Sequence, residues 1–261
     1  MKTVFYKMKC ITNMHVGSGE ANYNIVDNEV EKDAVTGYPT VHSSGIKGAL
    51  RDAIVTAEGE QAANRIFGAS GNGEEGRAGT HKFLDAMFIC RPLRVYGSSK
   101  TPFLPVVSIT SVNQYLEKLT AFGKNHYGIE KIDDIDFGDN LFLTNLTEDV
   151  SVEGELTGKL DDAAKEQFSK LADVLGEGFA VAKTFDGYDL PVMARNKLKD
   201  GRGVNLWYEE VVPHESVFFF GAVCPDDVPE INMPEFVQLG GNSSIGCGFV
   251  KITKLGGGRD E

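Results

Sequence analysis

The sequence predicts an α+β fold of ferredoxin-like type with long insertions. Three observations predict it. Apolar, β-prone segments open and close the chain, at residues 2–16 and 236–252. Between them strand-like and helix-like stretches alternate irregularly, with no sequence repeat. A length of 261 residues, 41% hydrophobic and 25% charged, suffices to bury a sizeable core in one large domain or two small ones.

Taken in order, residues 2–16 read as a strand that ends in the turn-like HVGSGEAN. A helix starts at Ser43, capped by Ser43 or Ser44, because Ile46, Leu50 and Ile54 recur at helical spacing. A short second helix is expected over residues 60–67, followed by GASGNGEEGRAG at 68–79, a Gly-rich mobile loop. FLDAMFICRPLRVYG at 83–97 is one central strand or two, and ITSVNQYLEKLTAF at 109–122 is a helix. DDIDFGD at 133–139 is a solvated face or turn. Residues 161–176 form a helix that starts at an Asp and stops at a Gly. Residues 188–212 read as a projecting hairpin with a basic, Gly-containing tip. ESVFFFGAVC at 215–224 is a buried strand, 236–252 is strand, Gly/Ser loop and strand, and 255–261 is a frayed tail.

A formal charge of −12 and a pI near 4.9 exclude a protein that coats nucleic acid by bulk charge. A local basic groove remains compatible with it, since recognition depends on where charge sits. No stretch approaches the roughly 20 apolar residues that span a bilayer, and the first 20 residues lack a signal-peptide pattern, so a cytoplasmic protein without membrane attachment is expected. Cys10, Cys90, Cys224 and Cys247 are scattered without metal-ligand spacing and are expected to be reduced, buried thiols. Phosphate-loop, Rossmann, nucleophile-elbow and H-E-x-x-H signatures are missing.

Two segments have the composition of anion cradles. In HSSGIKGALR, Ser43, Ser44 and Gly45 offer backbone N–H groups at a helix N-terminus, with Lys47 and Arg51 on one helix face. In QLGGNSSIGCGF, Gly240, Gly241, Asn242, Ser243 and Ser244 let the backbone approach a ligand closely. Either loop alone is equally compatible with an ordinary turn. Asp27 alone reads as a strand-end or turn acid, His15 as a satisfied structural histidine, and Glu209-Glu210 after Trp207-Tyr208 as a strand with one face buried.

Together, IVDNEVEKDAVTGYPTVHSSGIKGALR and LGGNSSIGCGFVKI resemble the N-terminal signature and C-terminal glycine-rich loop of the RAMP superfamily of CRISPR effector proteins. LPVMARN and NLWYEEVVP are similar to the backbone subunit of the type III-B (Cmr) complex, more so than to the sister type III-A (Csm) subunit. His42 departs from the pattern, standing where the family has Gly. The resemblance implies a single RAMP domain over 1–261 with an RRM-like core and a thumb hairpin at about 188–212. It implies copies polymerised in a helical filament along a guide CRISPR RNA, beside other Cmr subunits. The expected RNA contacts are Ser43, Ser44, Gly45, Lys47, Arg51, Met193, Arg195, Asn196 and residues 240–244, with Lys197, Lys199 and Arg202 near the hairpin tip. Asp27 is implied to cut the paired target RNA with Mg²⁺ or Mn²⁺, with His15 and Glu209 as helpers. The alternative is a structural guide-binding subunit that cuts nothing. A guide-processing ribonuclease would need a His/Tyr/Lys cluster that the sequence lacks.

Overall fold

The first strand, β1 (Lys2–Cys10), buries Thr3 and Phe5 on one face and Tyr6, Met8 and Cys10 on the other, so both of its faces are covered along part of its length. The computed structural model describes all residues except 18, 20–24, 70–75, 98–99, 133–134, 148, 177, 187–188 and 257–261. Parts of the expected HVGSGEAN turn, of the 68–79 loop, of DDIDFGD, the first residue of the 188–212 hairpin and most of the 255–261 tail therefore lie outside the described residues. The first strand stops short of residue 16: beyond Cys10, Asn13 Oδ1 accepts from His214 N at 3.0 Å and Met14 forms only an isolated bridge to Val212.

β2 (Thr40–Val41) leads into α1 (Ser43–Glu58), and Gly59, at φ 88°, turns the chain into α2 (Glu60–Phe67). The 68–79 segment is not wholly a loop. Its ends pair antiparallel as β3 (Gly68–Ala69) and β4 (Arg77–Ala78). β5 (Lys82–Phe83), β6 (Ala86–Tyr96) and β7 (Phe103–Ser108) precede α3 (Ile109–Ala121), whose cap Ser108 accepts from Ser111 N. The middle holds three short strands that the sequence reading did not find: β8 (Phe142–Thr144), β9 (Ser151–Val152) and β10 (Glu155–Lys159). The helix expected over 161–176 is broken into α4 (Asp162–Ser169) and α5 (Ala172–Leu175), with Asp161 and Gly176 at its outer ends. β11 (Ala180–Ala182), β12 (Val192–Lys199), β13 (Arg202–Glu210), β14 (Val217–Cys224), β15 (Phe236–Gln238) and β16 (Phe249–Lys254) complete the chain.

The chain divides into two compact units. The first comprises residues 1–87, 189–214 and 220–261. Its strands run in the order β15-β16-β1-β14, with β5 antiparallel to β14. Ile46, Leu50 and Ile54 of α1 are each 1% exposed and form the apolar stripe that holds the helix. Burial of three such side chains contributes about 5–9 kcal/mol as an upper figure. Tyr6 stacks on Phe220 at 5.3 Å.

The second unit comprises residues 88–188 and 215–219. Its strands form a closed ring, β6-β7-β11-β8-β10-β9 and back to β6, with parallel steps at β7–β11 and β8–β10. Closure explains how strands of two or three residues persist, since none of them presents an unpaired edge. In this unit Phe88 packs 5.4 Å from Phe185 and 5.0 Å from Phe218.

All four cysteines are free and buried, and burial pushes the Cys10 thiol up to about 12. No helix among the described residues is long and apolar enough to cross a membrane.

Candidate functional site

Asp27 is held by β13. Its N–H donates to Tyr208 O at 3.0 Å, and its Oδ2 accepts from Tyr208 N at 2.8 Å. One residue on, Asn28 bridges Glu209 in parallel, and Glu210 N donates to Asn28 O at 2.9 Å. A non-regular loop is thus clamped to a strand through backbone groups. The Asp27 side chain is left exposed, with Oδ1 unpartnered among the described residues.

Glu209 sits behind it and gathers three distant segments. Its side chain is 7% exposed and accepts from Trp207 Nε1 and Arg195 Nε, both at 2.8 Å, from Asn242 Nδ2 at 2.9 Å and from Asn28 Nδ2 at 3.3 Å. Burial pushes its carboxyl up, but the Trp207 N–H and the Arg195 guanidinium outweigh this and hold it below the usual carboxylate range. Both oxygens are filled by donors, which makes Glu209 the tie between hairpin, Asp27 loop and glycine-rich loop. Glu210 performs the same service next door: its Oε2 accepts from Val30 N at 3.0 Å and its Oε1 from Lys32 Nζ at 3.3 Å.

His15 is buried, and its Nδ1 lies 2.7 Å from Glu210 O; because a carbonyl only accepts, Nδ1 carries the proton. Gly240 and Gly241 of the glycine-rich loop are explained by His15. Gly241 N donates to His15 O at 2.8 Å, and a Cβ at Gly240, φ 80°, would run into that same carbonyl. Asn242 takes the left-handed conformation at φ 63° and opens a 3-10 turn, Ser243–Ile245, leaving Ser243 and Ser244 exposed.

The α1 cradle is partly occupied from within the chain. Asp85 Oδ1 accepts from Ser43 N at 2.6 Å, while its Oδ2 lies 3.4 Å from His42 Nδ1 and His42 Nε2 lies 3.3 Å from Glu31 Oε1. The Asp85 contact first, then Glu31, hold the His42 imidazole above its usual range. Ser44, Gly45 and Lys47 are exposed, and Lys47 has no ion pair among the described residues. Arg51 does not share that freedom. It binds Gly68 O at 2.8 Å and both Glu60 Oε1 and Asn64 Oδ1 at 2.6 Å, tying α1 to α2.

β12 and β13 form a two-stranded antiparallel hairpin around Asp200-Gly201, both at positive φ (52° and 74°), the signature of a type I′ turn. Lys197, Lys199 and Arg202 lie near this tip and are exposed, as are Met193 and Asn196. Asn13 Nδ2 lies 3.8 Å from Met193 Sδ. Arg195 is part-buried and already paired with Glu209, so it serves the hairpin base. Val192, Leu198, Val204 and Leu206 are exposed too, an apolar surface unusual for a solvated hairpin.

Of the expected site, Asp27, His15, Glu209, Met193, Arg195 and residues 240–242 converge, whereas Ser43, Ser44, Gly45 and Lys47 belong to the separate α1 cradle. Sequence reasoning passed over Asn28, the donor role of Trp207, and Asp85. Asn28 and Trp207 were within reach, one adjoining Asp27 and the other being the chain's single tryptophan. Asp85 gives no signal in sequence.

No group of three or more His, Cys, Asp or Glu side chains positioned to hold a metal ion occurs among the described residues. Asp27 offers one free carboxylate oxygen, which fits an ion shared with a phosphate and water and not a cage built by protein alone.

The RAMP superfamily model matches residues 7–251. The chain is 24% identical to the CRISPR system Cmr endoribonuclease Cmr4 of Pyrococcus furiosus, covering 97% of this chain and 96% of that one. Its fold is similar to a chain of the type III-B Cmr-beta complex bound to cognate target RNA, at a TM-score of 0.74 and 20% identity over 97% of each chain. It is equally similar to oligomeric Cmr4 from Pyrococcus furiosus, at 0.72 and 21% over 97% of this chain and 98% of that chain. The N-terminal acid loop, the α1 cradle and the C-terminal glycine-rich loop all fall within the matched span, and this chain belongs to the RAMP superfamily.

Proposed function

We propose that this chain is the repeating backbone subunit of a type III-B CRISPR effector, binding guide RNA and cutting the target RNA paired to it. The observation that carries the reading is Asp27: an exposed carboxylate, fixed through Tyr208 and set where hairpin, acid loop and glycine-rich loop meet. Similarity to a named endoribonuclease over nearly the whole chain supports it. The β12–β13 hairpin is read as the thumb, its exposed Met193, Leu198 and Leu206 wedging apart paired bases. The ferredoxin-like reading of the core rests on the order β16-β1-β14, with late strands on both sides of the first. Further copies of this chain, guide RNA, target RNA and other Cmr subunits are the partners in this reading.

Cleavage follows from the elements of phosphodiester chemistry. The ribose 2′-oxygen attacks the adjacent phosphorus, the P–O5′ bond breaks, and a 2′,3′-cyclic phosphate and a 5′-hydroxyl result. Asp27 Oδ1 is the oxygen left to take the 2′-OH proton in this reading, because Oδ2 accepts from Tyr208 N. Proton delivery to O5′ falls to water. The hairpin supplies the in-line geometry by holding one nucleotide out of the duplex. Glu209 and His15 position the Asp27 loop and do not touch the reacting atoms. If Asp27 instead held a divalent ion through Oδ1, the ion would supply charge neutralisation at phosphorus in place of the carboxylate's role as base.

The test is cleavage of guide-matched RNA by the assembled complex carrying Asp27→Ala. Loss of cutting with unchanged RNA binding supports the reading. Wild-type cutting would transfer the chemistry to another subunit and leave this chain as the structural guide-binding alternative.

A further inference from the structure

A cleft of about 1070 Å³ lies in the first unit beside the α1 cradle, lined by Ser43, Ser44 and Lys47 and also by Arg77 and Lys82. Its floor is built by backbone contact. A Cβ at Gly68, φ 94°, would come within 2.6 Å of Arg77 O, and one at Gly79 would run into Ile66 O, so β3 and β4 meet with no side chain between them. Arg51, anchored to Gly68 O and Glu60, braces this floor against α1.

The charge of the cleft runs opposite to that of the chain. Among the described lining residues are the cations Lys47, Arg51, Arg77 and Lys82 and the single carboxylate Glu60, which Arg51 already neutralises at 2.6 Å. Lys47, Arg77 and Lys82 are exposed and have no ion pair among the described residues. Three cations with no ion pair among the described residues, in one concavity of a protein of net charge −12, favour a local positive field that attracts polyanions. The volume exceeds the roughly 300–1,000 Å³ that encloses a small-molecule ligand.

We infer that this cleft is a continuation of the RNA track: the phosphodiester backbone of a single strand leaves the Ser43–Lys47 cradle and is held further along by Arg77 and Lys82. The inference rests on the reading of that cradle as an RNA contact. It assigns phosphate-binding roles to two residues outside both family signatures. It also locates the basic groove that an acidic chain needs in order to bind RNA at all.

The experiment is binding of a fluorescein-labelled single-stranded RNA to the full chain, by anisotropy across a salt series. Wild type is compared with Lys47→Ala and with Arg77→Ala/Lys82→Ala. Each phosphate contact contributes about 0.7 to the slope of log K against log[salt]. The double variant is expected to lower that slope by about 1.4 and to bind about 25-fold more weakly at 0.1 M salt, that is, 10 to the power 1.4 relative to a 1 M reference. Its thermal midpoint should stay that of wild type, both side chains being exposed. Lys47→Ala alone weakening binding would overturn the inference and leave the cradle reading standing. No effect from either variant would overturn both. Inorganic phosphate or UMP displacing the RNA at micromolar concentration, at fixed ionic strength, would show a small-anion pocket and overturn the polymer track.

Discussion

Removing the Glu209 carboxylate should loosen three segments at once. Glu209→Ala leaves Arg195, whose side chain is 18% exposed, without its counter-charge, and leaves the Trp207, Asn28 and Asn242 donors without an acceptor. Breaking one side of a buried pair costs about 3–5 kcal/mol, and the partial exposure of Arg195 places this case at the lower end, about 3 kcal/mol. For a chain of this size that is a fall in Tm of roughly 6–12 °C. A double-mutant cycle with Arg195→Met in thermal and urea unfolding separates the pair from its surroundings. Glu209→Met/Arg195→Met should recover more than half of the single-variant loss, because an apolar pair leaves no orphaned charge. The pH dependence has a definite sign. Since the folded carboxyl titrates below its ordinary range, Glu209 contributes stability that is present above the unfolded value and lost as pH falls through the lowered one, and Glu209→Gln should flatten this part of the curve. A loss under 1 kcal/mol in Glu209→Ala, or additivity in the cycle, would refute the reasoning.

Gly240→Ala should destabilise by more than the roughly 1 kcal/mol of a positive-φ residue, because the new methyl meets the His15 carbonyl; urea unfolding measures it, and a neutral result contradicts the packing described. His42 should titrate above 6.5 by NMR and fall back in Asp85→Asn; its raised value means its contribution is complete below the unfolded pKa and lost as pH rises through the folded one. Gly201→Val puts a β-branched residue at φ 74° in the hairpin turn and should weaken RNA binding with little change in overall Tm, checked by anisotropy and calorimetry.

What the sequence disclosed, and what it hid, follows from the range of the interactions involved. α1 was legible because Ile46, Leu50 and Ile54 are four apart and all buried, so the local pattern and the tertiary packing agree. The hairpin was legible because Asp200-Gly201 between β-prone runs is a strong local signal. β8, β9 and β11 were not, since two- or three-residue strands have no measurable period and exist only through ring closure. In the site, the acid loop and both Gly/Ser loops stood out by composition. The partners that set their roles lie far along the chain: Glu209 binds Asn28 from 181 residues away and Asn242 from 33. Arg51 looked like a phosphate ligand beside Lys47, yet Glu60 and Gly68 claim it.

The central claim is that Asp27 cuts RNA from a scaffold that other residues hold in place. The most direct measurement is a time course of labelled, guide-matched RNA with the assembled complex, comparing wild type with Asp27→Ala at matched RNA occupancy. The account predicts regularly spaced products in wild type and none in the variant, with binding unchanged. Products at the wild-type rate and positions from the variant would contradict it.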